Sequence, residues 1–289
     1  MTADGSALDG RCARRRAKQR DRRGARRRLN QGRTPAILLL PSLAGLAFLV
    51  LPVIGLLAKT PWRQFVQDLS STDTWTALRL SLECATAATG FSLVLGIPLA
   101  WLLARTGLPG RGVARSLVAV PLVLPPVVGG MALLLVFGRT GLLGGYLDDW
   151  FGVTLPFTTP GVIMAETFVA LPFLVISVET ALHGLDPSLE EAAATSGASR
   201  WQIFRWITLP NLLPAIGAGA VLSWARALGE FGATITFAGD FPGTTQTMPL
   251  AVYLAFQDDP QSAIVLSVVL LAVSVTLLAA LRDRLFTQV

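Results

Sequence analysis

Between Ala36 and Ala58 the chain carries no charged residue, and this run limits most sharply what it can fold into. As a helix, a run of that length crosses the ~30 Å hydrocarbon core of a bilayer. A soluble core helix is usually shorter and keeps a polar face, which this run lacks. Comparable runs recur, and their pattern predicts spans over 36–58, 80–104, 116–137, 160–182, 212–238 and 262–281. Backbone groups in lipid must be satisfied within their own segment, so stretches of this length are helices. The expected fold is an all-α integral membrane protein with about six transmembrane helices.

Charge sets the expected orientation. The first 35 residues hold Arg11, Arg14, Arg15, Arg16, Lys18, Arg20, Arg22, Arg23, Arg26, Arg27, Arg28 and Arg33 against Asp4, Asp9 and Asp21. A basic stretch beside a first span fixes that span's orientation and attracts anionic lipid, which is preferred here over nucleic-acid binding. Residues 1–35 read as a disordered cytoplasmic tail, and 36–289 as the membrane domain. The first apolar run exceeds a signal-peptide core of about 7–15 residues, so it reads as a retained span. Arg105, Arg111 and Arg115 follow the second span, whereas Asp240, Asp258 and Asp259 precede the last. Positive-inside counting then puts both termini and the segment 183–211 in the cytoplasm. Cys12 and Cys84 are the only cysteines, one in the tail and one in a span, so no disulfide framework is expected.

Several spans contain proline, which neighbouring helices in a membrane bundle can accommodate. Pro125-Pro126 followed by Gly129-Gly130 marks the third span as irregular. That suits a helix lining a moving or conducting path, and equally a close helix contact. The fifth span carries Arg226 and Glu230, four apart on one face. Charges in a membrane pair with each other or face a cavity. The two readings are a mutual salt bridge, and positive potential from Arg226 where an anion crosses. Glu83, Glu166 and Glu179 read as snorkelling or helix-pairing residues.

The segment 186–210 reads DPSLEEAAATSGASRWQIFRWITLP. Asp186 is placed to cap a helix and Pro187 suits its first position. Glu190 and Glu191 lie toward the positive end of the dipole. Gly197 can supply a left-handed turn, and Ser199 can cap a second short helix holding Trp201, Phe204 and Trp206, closed by Leu209-Pro210. The chemistry is that of a helix–turn–helix exposing small side chains and aromatics.

Glu191-Ala192-Ala193, then Gly197, Ile207 and Leu209-Pro210, resembles the signature loop of binding-protein-dependent ABC importer permeases. The resemblance implies a type I importer bundle whose loop forms coupling helices that dock on an ATPase subunit. It carries Glu191, Ala192, Ala193, Gly197, Ile207, Leu209 and Pro210 over to that role. No phosphate-binding Gly-x-x-x-x-Gly-Lys-Ser/Thr run occurs, so ATP is expected on a separate chain and no cofactor on this one.

The stretches RALGEFGATITFAGD at 226–240 and TTQTMPLAVY at 244–253 resemble molybdate and tungstate permeases. Sulfate and thiosulfate permeases share the Arg-Ala-x-Gly-Glu core and stand as the alternative. The resemblance implies a homodimer with two ATPase subunits and an extracytoplasmic substrate-binding protein. Gly229 and Gly232 are expected to allow close helix approach. Arg226, Glu230, Thr234 and Thr236 are the candidate path residues. A membrane enzyme would need converging acids, bases or metal ligands, and the chain has one histidine, His183. A secondary transporter or channel fits broken, charged helices but has no use for the coupling loop.

Overall fold

A computed structural model describes residues 36–107 and 109–286; the basic tail lies outside them. Two units divide after Ala58, and each is taken by itself. The first is represented by α1 (Ala36–Lys59), an apolar helix with Pro41 and Pro52 inside it. Its large side chains are exposed all round, as in Leu40, Phe48 and Leu49. A helix that is apolar on every face is stable in hydrocarbon and not in water.

The second unit begins with α2 (Trp62–Leu69) and α3 (Thr72–Arg105). Ser71 caps α3 by accepting the Thr74 N–H. A bent pair follows, α4 (Arg111–Val123) and α5 (Pro126–Phe137), with their axes at 118°. Then come α6 (Gly144–Phe151), α7 (Thr159–Gly184), α8 (Pro187–Thr195) and α9 (Arg200–Ile203). A π turn over Phe204–Thr208 runs into α10 (Leu209–Leu228). The chain closes with α11 (Gly232–Ala238), α12 (Met248–Asp258) and α13 (Pro260–Phe286). No strand occurs among the described residues. Five helical stretches are long and apolar enough to span a membrane, and the bent pair makes a sixth.

α3, α7 and α10 form the centre. Ala100 and Leu103 of α3 bury against Leu174, Val175, Val178 and Leu182 of α7 and Leu212 of α10. Small residues let these helices close. A Cβ at Gly219 would lie 2.9 Å from a Leu174 methyl carbon, and one at Gly96 3.0 Å from the other. In lipid, packing of this kind replaces the hydrophobic drive between helices. A second cluster joins Ala77 and Leu78 to Met248 of α12 and to Leu266 and Val269 of α13.

Two expected spans are not single helices. The third breaks at Leu124-Pro125, because Pro125 and Pro126 donate no N–H and hold the chain extended before α5. The fifth ends at Leu228 and restarts at Gly232. The second helix of the 186–210 segment does not close at Leu209-Pro210. It continues through the π turn into α10, and Pro210 sits in the first turn after that widening. Proline has no N–H to give the preceding turn, and a single wide turn absorbs the mismatch. Short α2, α6 and α12 fall outside the six expected spans.

Candidate functional site

The 186–210 segment is built by local chemistry. Asp186 accepts the Ser188 N–H at 2.9 Å, and this hydrogen bond holds its carboxyl below the usual range. Pro187 occupies the first position of α8. The helix ends in paired reverse bonds: Ala198 N–H donates to Ala193 and Gly197 N–H to Ala194. Gly197 sits at φ +85°, where a side chain is strained. Ser199 and Gln202 form a reciprocal capping box that starts α9. The expected two helices and their turn are all present.

No residue of α8 or α9 is buried. Glu191 and Ala192 are exposed, while Ala193 and Ile207 are half-buried. Ser196, Gly197, Ala198, Gln202, Ile203, Trp206 and Ile207 line a shallow concavity of about 380 Å³. Trp201 and Trp206 are 65% and 71% exposed, so the segment presents apolar surface to its surroundings. Glu190 faces the other way. Its Oε1 accepts from Arg105 Nη2 at 3.2 Å and from the Thr208 hydroxyl at 2.8 Å. Sequence reasoning credited Glu190 only with the helix dipole, because its partners lie 85 and 18 positions away.

The break between α10 and α11 is the second region. Arg226 Nη1 stands 2.7 Å from Glu230 Oε2, an ion pair by distance without hydrogen-bond alignment. The Glu230 side chain is 1% exposed and that of Arg226 30%. Glu230 Oε1 also accepts the Ala233 N–H at 2.8 Å. One carboxylate therefore ties the end of α10 to the start of α11. Of the two readings left open for this pair, the salt bridge is present.

The break fits against α5. A Cβ at Gly232 would meet the Pro126 Cβ at 2.8 Å, and one at Gly130 the Ala233 carbonyl oxygen at 2.7 Å. Gly232 thus makes the expected close approach. Gly229 does not; the nearest atom to a Cβ there is the carbonyl of Ala225 in its own helix, at 3.6 Å. Thr234 is fully buried and its hydroxyl has no partner among the described residues. Thr236 is half-buried, and its hydroxyl donates to the Gly232 carbonyl.

The other membrane acids separate into three cases. Glu83 pairs with Arg79 of its own helix and is exposed. Glu179 of α7 accepts from Arg115 of α4, through Nε at 2.8 Å and also through Nη2. His183 joins that pair, 3.2 Å from Arg115 Nη2. Glu166 is 1% exposed and has one unpartnered oxygen. It does not snorkel. Among the described residues no group of His, Cys, Asp or Glu is set to hold a metal. A second cavity of about 500 Å³, lined among others by Phe91, Leu95, Met164 and Phe168, offers an anion no free donor. Its Thr167 hydroxyl donates to Ile163.

Five to six candidate spans, two of them broken, with an exposed helix–turn–helix between spans are the layout of a multi-pass membrane component. Residues 96–288 match the family described as binding-protein-dependent transport system inner membrane component, and the chain belongs to that family. It is 43% identical over 252 residues to the molybdenum transport system permease protein ModB of Mycobacterium tuberculosis, covering 86% of this chain and 94% of that one. It is 37% identical over 238 residues to the sulfate transport system permease protein CysT of Escherichia coli, covering 81% and 86%. Among solved structures it is similar in fold to a bacterial ABC transporter involved in the import of the acidic polysaccharide alginate. There the TM-score is 0.65 and the identity 24%, over 86% of this chain and 94% of that one.

Proposed function

We propose that this chain is the membrane-spanning subunit of an ATP-driven importer that carries molybdate, with tungstate as a second cargo, into the cytoplasm. The observation that carries the cargo is the higher identity, over more of the chain, to a molybdenum permease than to a sulfate permease. Glu191, Ala192, Ala193, Gly197, Ile207, Leu209 and Pro210 are assigned to the docking surface for an ATPase subunit. That reading is supported by the exposure of α8 and α9 and by their small and aromatic side chains. ATP binds the partner, and this chain holds no cofactor of its own.

The working assembly is a homodimer with two ATPase subunits and an extracytoplasmic binding protein. Both termini face the cytoplasm, and the basic residues 1–35 lie against anionic lipid. Import proceeds by rocking of the spans as rigid bodies when the ATPase subunits close. Arg226 is the path residue, since part of it stays exposed while Glu230 holds it in place. Thr234 and Thr236 face packed neighbours here, so a role in the path requires their helix to turn in another conformation.

The test is ATP-dependent uptake of radiolabelled molybdate into liposomes holding the assembled transporter, with binding protein supplied and sulfate as competitor. Uptake that resists excess sulfate and disappears in Glu191→Lys supports the proposal. Sulfate uptake without molybdate uptake moves the cargo to the second reading, sulfate or thiosulfate, which the similarity to CysT favours. ATP-independent flux through this subunit alone makes it a channel or secondary transporter.

A further inference from the structure

The exposed segment needs a mechanical link to the spans, and the side chains that supply one are Arg105, Glu190 and Thr208. Among the described residues, the ion pair and the hydrogen bond that leave α8 through a side chain both end on Glu190. Arg105 is the last residue of α3, and Thr208 closes the π turn that leads into α10. One carboxylate therefore joins the loop helix to the ends of two spans. The Thr208 side chain is fully buried. The side chains of Arg105 and Glu190 are 23% and 22% exposed, so water screens their attraction less than at an open surface.

A second contact follows the same course. Trp101 lies one turn before Arg105 on the same face of α3. Its ring meets Phe204 of the π turn edge-on, with centroids 5.2 Å apart. Phe204 in turn stacks on Trp201 of α9 at 5.6 Å. The helix that carries the two anchors is itself held. Ala100 and Leu103 of α3 pack in the core with α7 and α10. Force on α8 or α9 thus reaches α3 through Glu190–Arg105 and Phe204–Trp101, and reaches α10 through Thr208.

We propose that Glu190 is a positioning residue that, with Arg105 and Thr208, transmits movement of the loop helices to the spans. This rests on the importer reading above. It differs from docking: Glu191 faces outward toward the ATPase subunit, whereas Glu190 faces inward and holds the bundle. Loss of the clamp leaves docking and hydrolysis in place but lets the loop move without the spans.

The experiment uses the full transporter in liposomes with its ATPase subunits and binding protein, and reads three quantities. These are ATPase subunit retained on purification, ATP hydrolysed, and radiolabelled molybdate taken up per ATP. Glu190→Gln keeps the size and removes the carboxylate charge; Arg105→Gln removes the charge that faces it. Both are expected to retain the ATPase subunit and hydrolyse ATP, with uptake per ATP reduced about fivefold or more. The exchange Arg105→Glu with Glu190→Arg is expected to recover a large part of that loss. The proposal is overturned if uptake per ATP is unchanged in both single variants. It is also overturned if uptake falls only in proportion to lost ATPase subunit and the exchange recovers nothing. Absence of binding-protein-dependent uptake by the unaltered transporter is a different result, and counts against the importer reading instead.

Discussion

The helix–turn–helix at 186–210 and the broken span at 226–238 both depart from straight helix, for opposite reasons. In the first, every interruption has a local cause. Asp186, Pro187, Gly197, Ser199 and Gln202 satisfy the helix ends within a few positions of themselves. In the second, the sequence between Leu228 and Gly232 contains no proline, and its glycines adopt ordinary negative φ. That break is held by Glu230, which binds both sides of it, and by α5, whose Pro126 and Gly130 occupy the space beside it. A loop that must meet a partner can be specified by its own caps. A break inside the bundle is specified by what packs against it.

This contrast is open to direct attack. The largest effect is expected from Gly130→Leu, since even a Cβ there would lie 2.7 Å from the Ala233 carbonyl oxygen and 2.8 Å from the Thr236 Cβ. Neither neighbour is the end of a flexible chain, so the substitution costs about 3 kcal/mol or more. Thermal unfolding in detergent should show a large drop, or no folded protein. Gly217→Ala, with nothing within 4 Å of the added Cβ, should be neutral or slightly stabilising. Equal destabilisation by both would mean that α5 does not hold the break.

A middle effect is expected from Glu230→Gln. The amide oxygen can still accept the Ala233 N–H, but the charge opposite Arg226 is gone. Breaking a buried pair costs up to about 3–5 kcal/mol, and the partial exposure of Arg226 lowers that to about 2 kcal/mol. Hydrogen exchange should quicken over 229–238 and stay unchanged over 187–199. Protection lost in both places would remove the distinction between them.

The smallest effect concerns the loop. The folded Asp186 carboxyl is held below its unfolded value of about 3.9. A lowered folded value favours the folded loop at pH above the unfolded value, and that contribution disappears as pH falls through the folded one. Amide protection of α8 in the native chain should therefore weaken as the medium is taken below about pH 4, where Asp186 begins to protonate. In Asp186→Asn, protection should be slightly lower at neutral pH and less dependent on acid. An identical acid profile in both proteins would show that ionisation of Asp186 contributes nothing to α8.

The order of spans, the prolines that bend them and the capped loop were all legible in the sequence, because hydrophobic run length, missing N–H donors and cap spacing act over a few residues. Glu166 read as a snorkelling or helix-pairing residue, yet it is buried with one oxygen unpartnered, since its surroundings come from other helices. Gly229 and Gly232 looked alike, and only Gly232 touches Pro126. Glu190 and Glu191 are adjacent and chemically identical. Their different directions are fixed by the turn of α8 relative to Arg105, which lies 85 positions before Glu190. The sequence by itself determined where helices run and how the exposed loop folds, because those outcomes rest on neighbours along the chain. Which distant arginines Glu179 and Glu190 meet, which glycine admits another helix and where the fifth span breaks were decided by the tertiary structure, because those energies exist only once distant helices are within a few ångströms of each other.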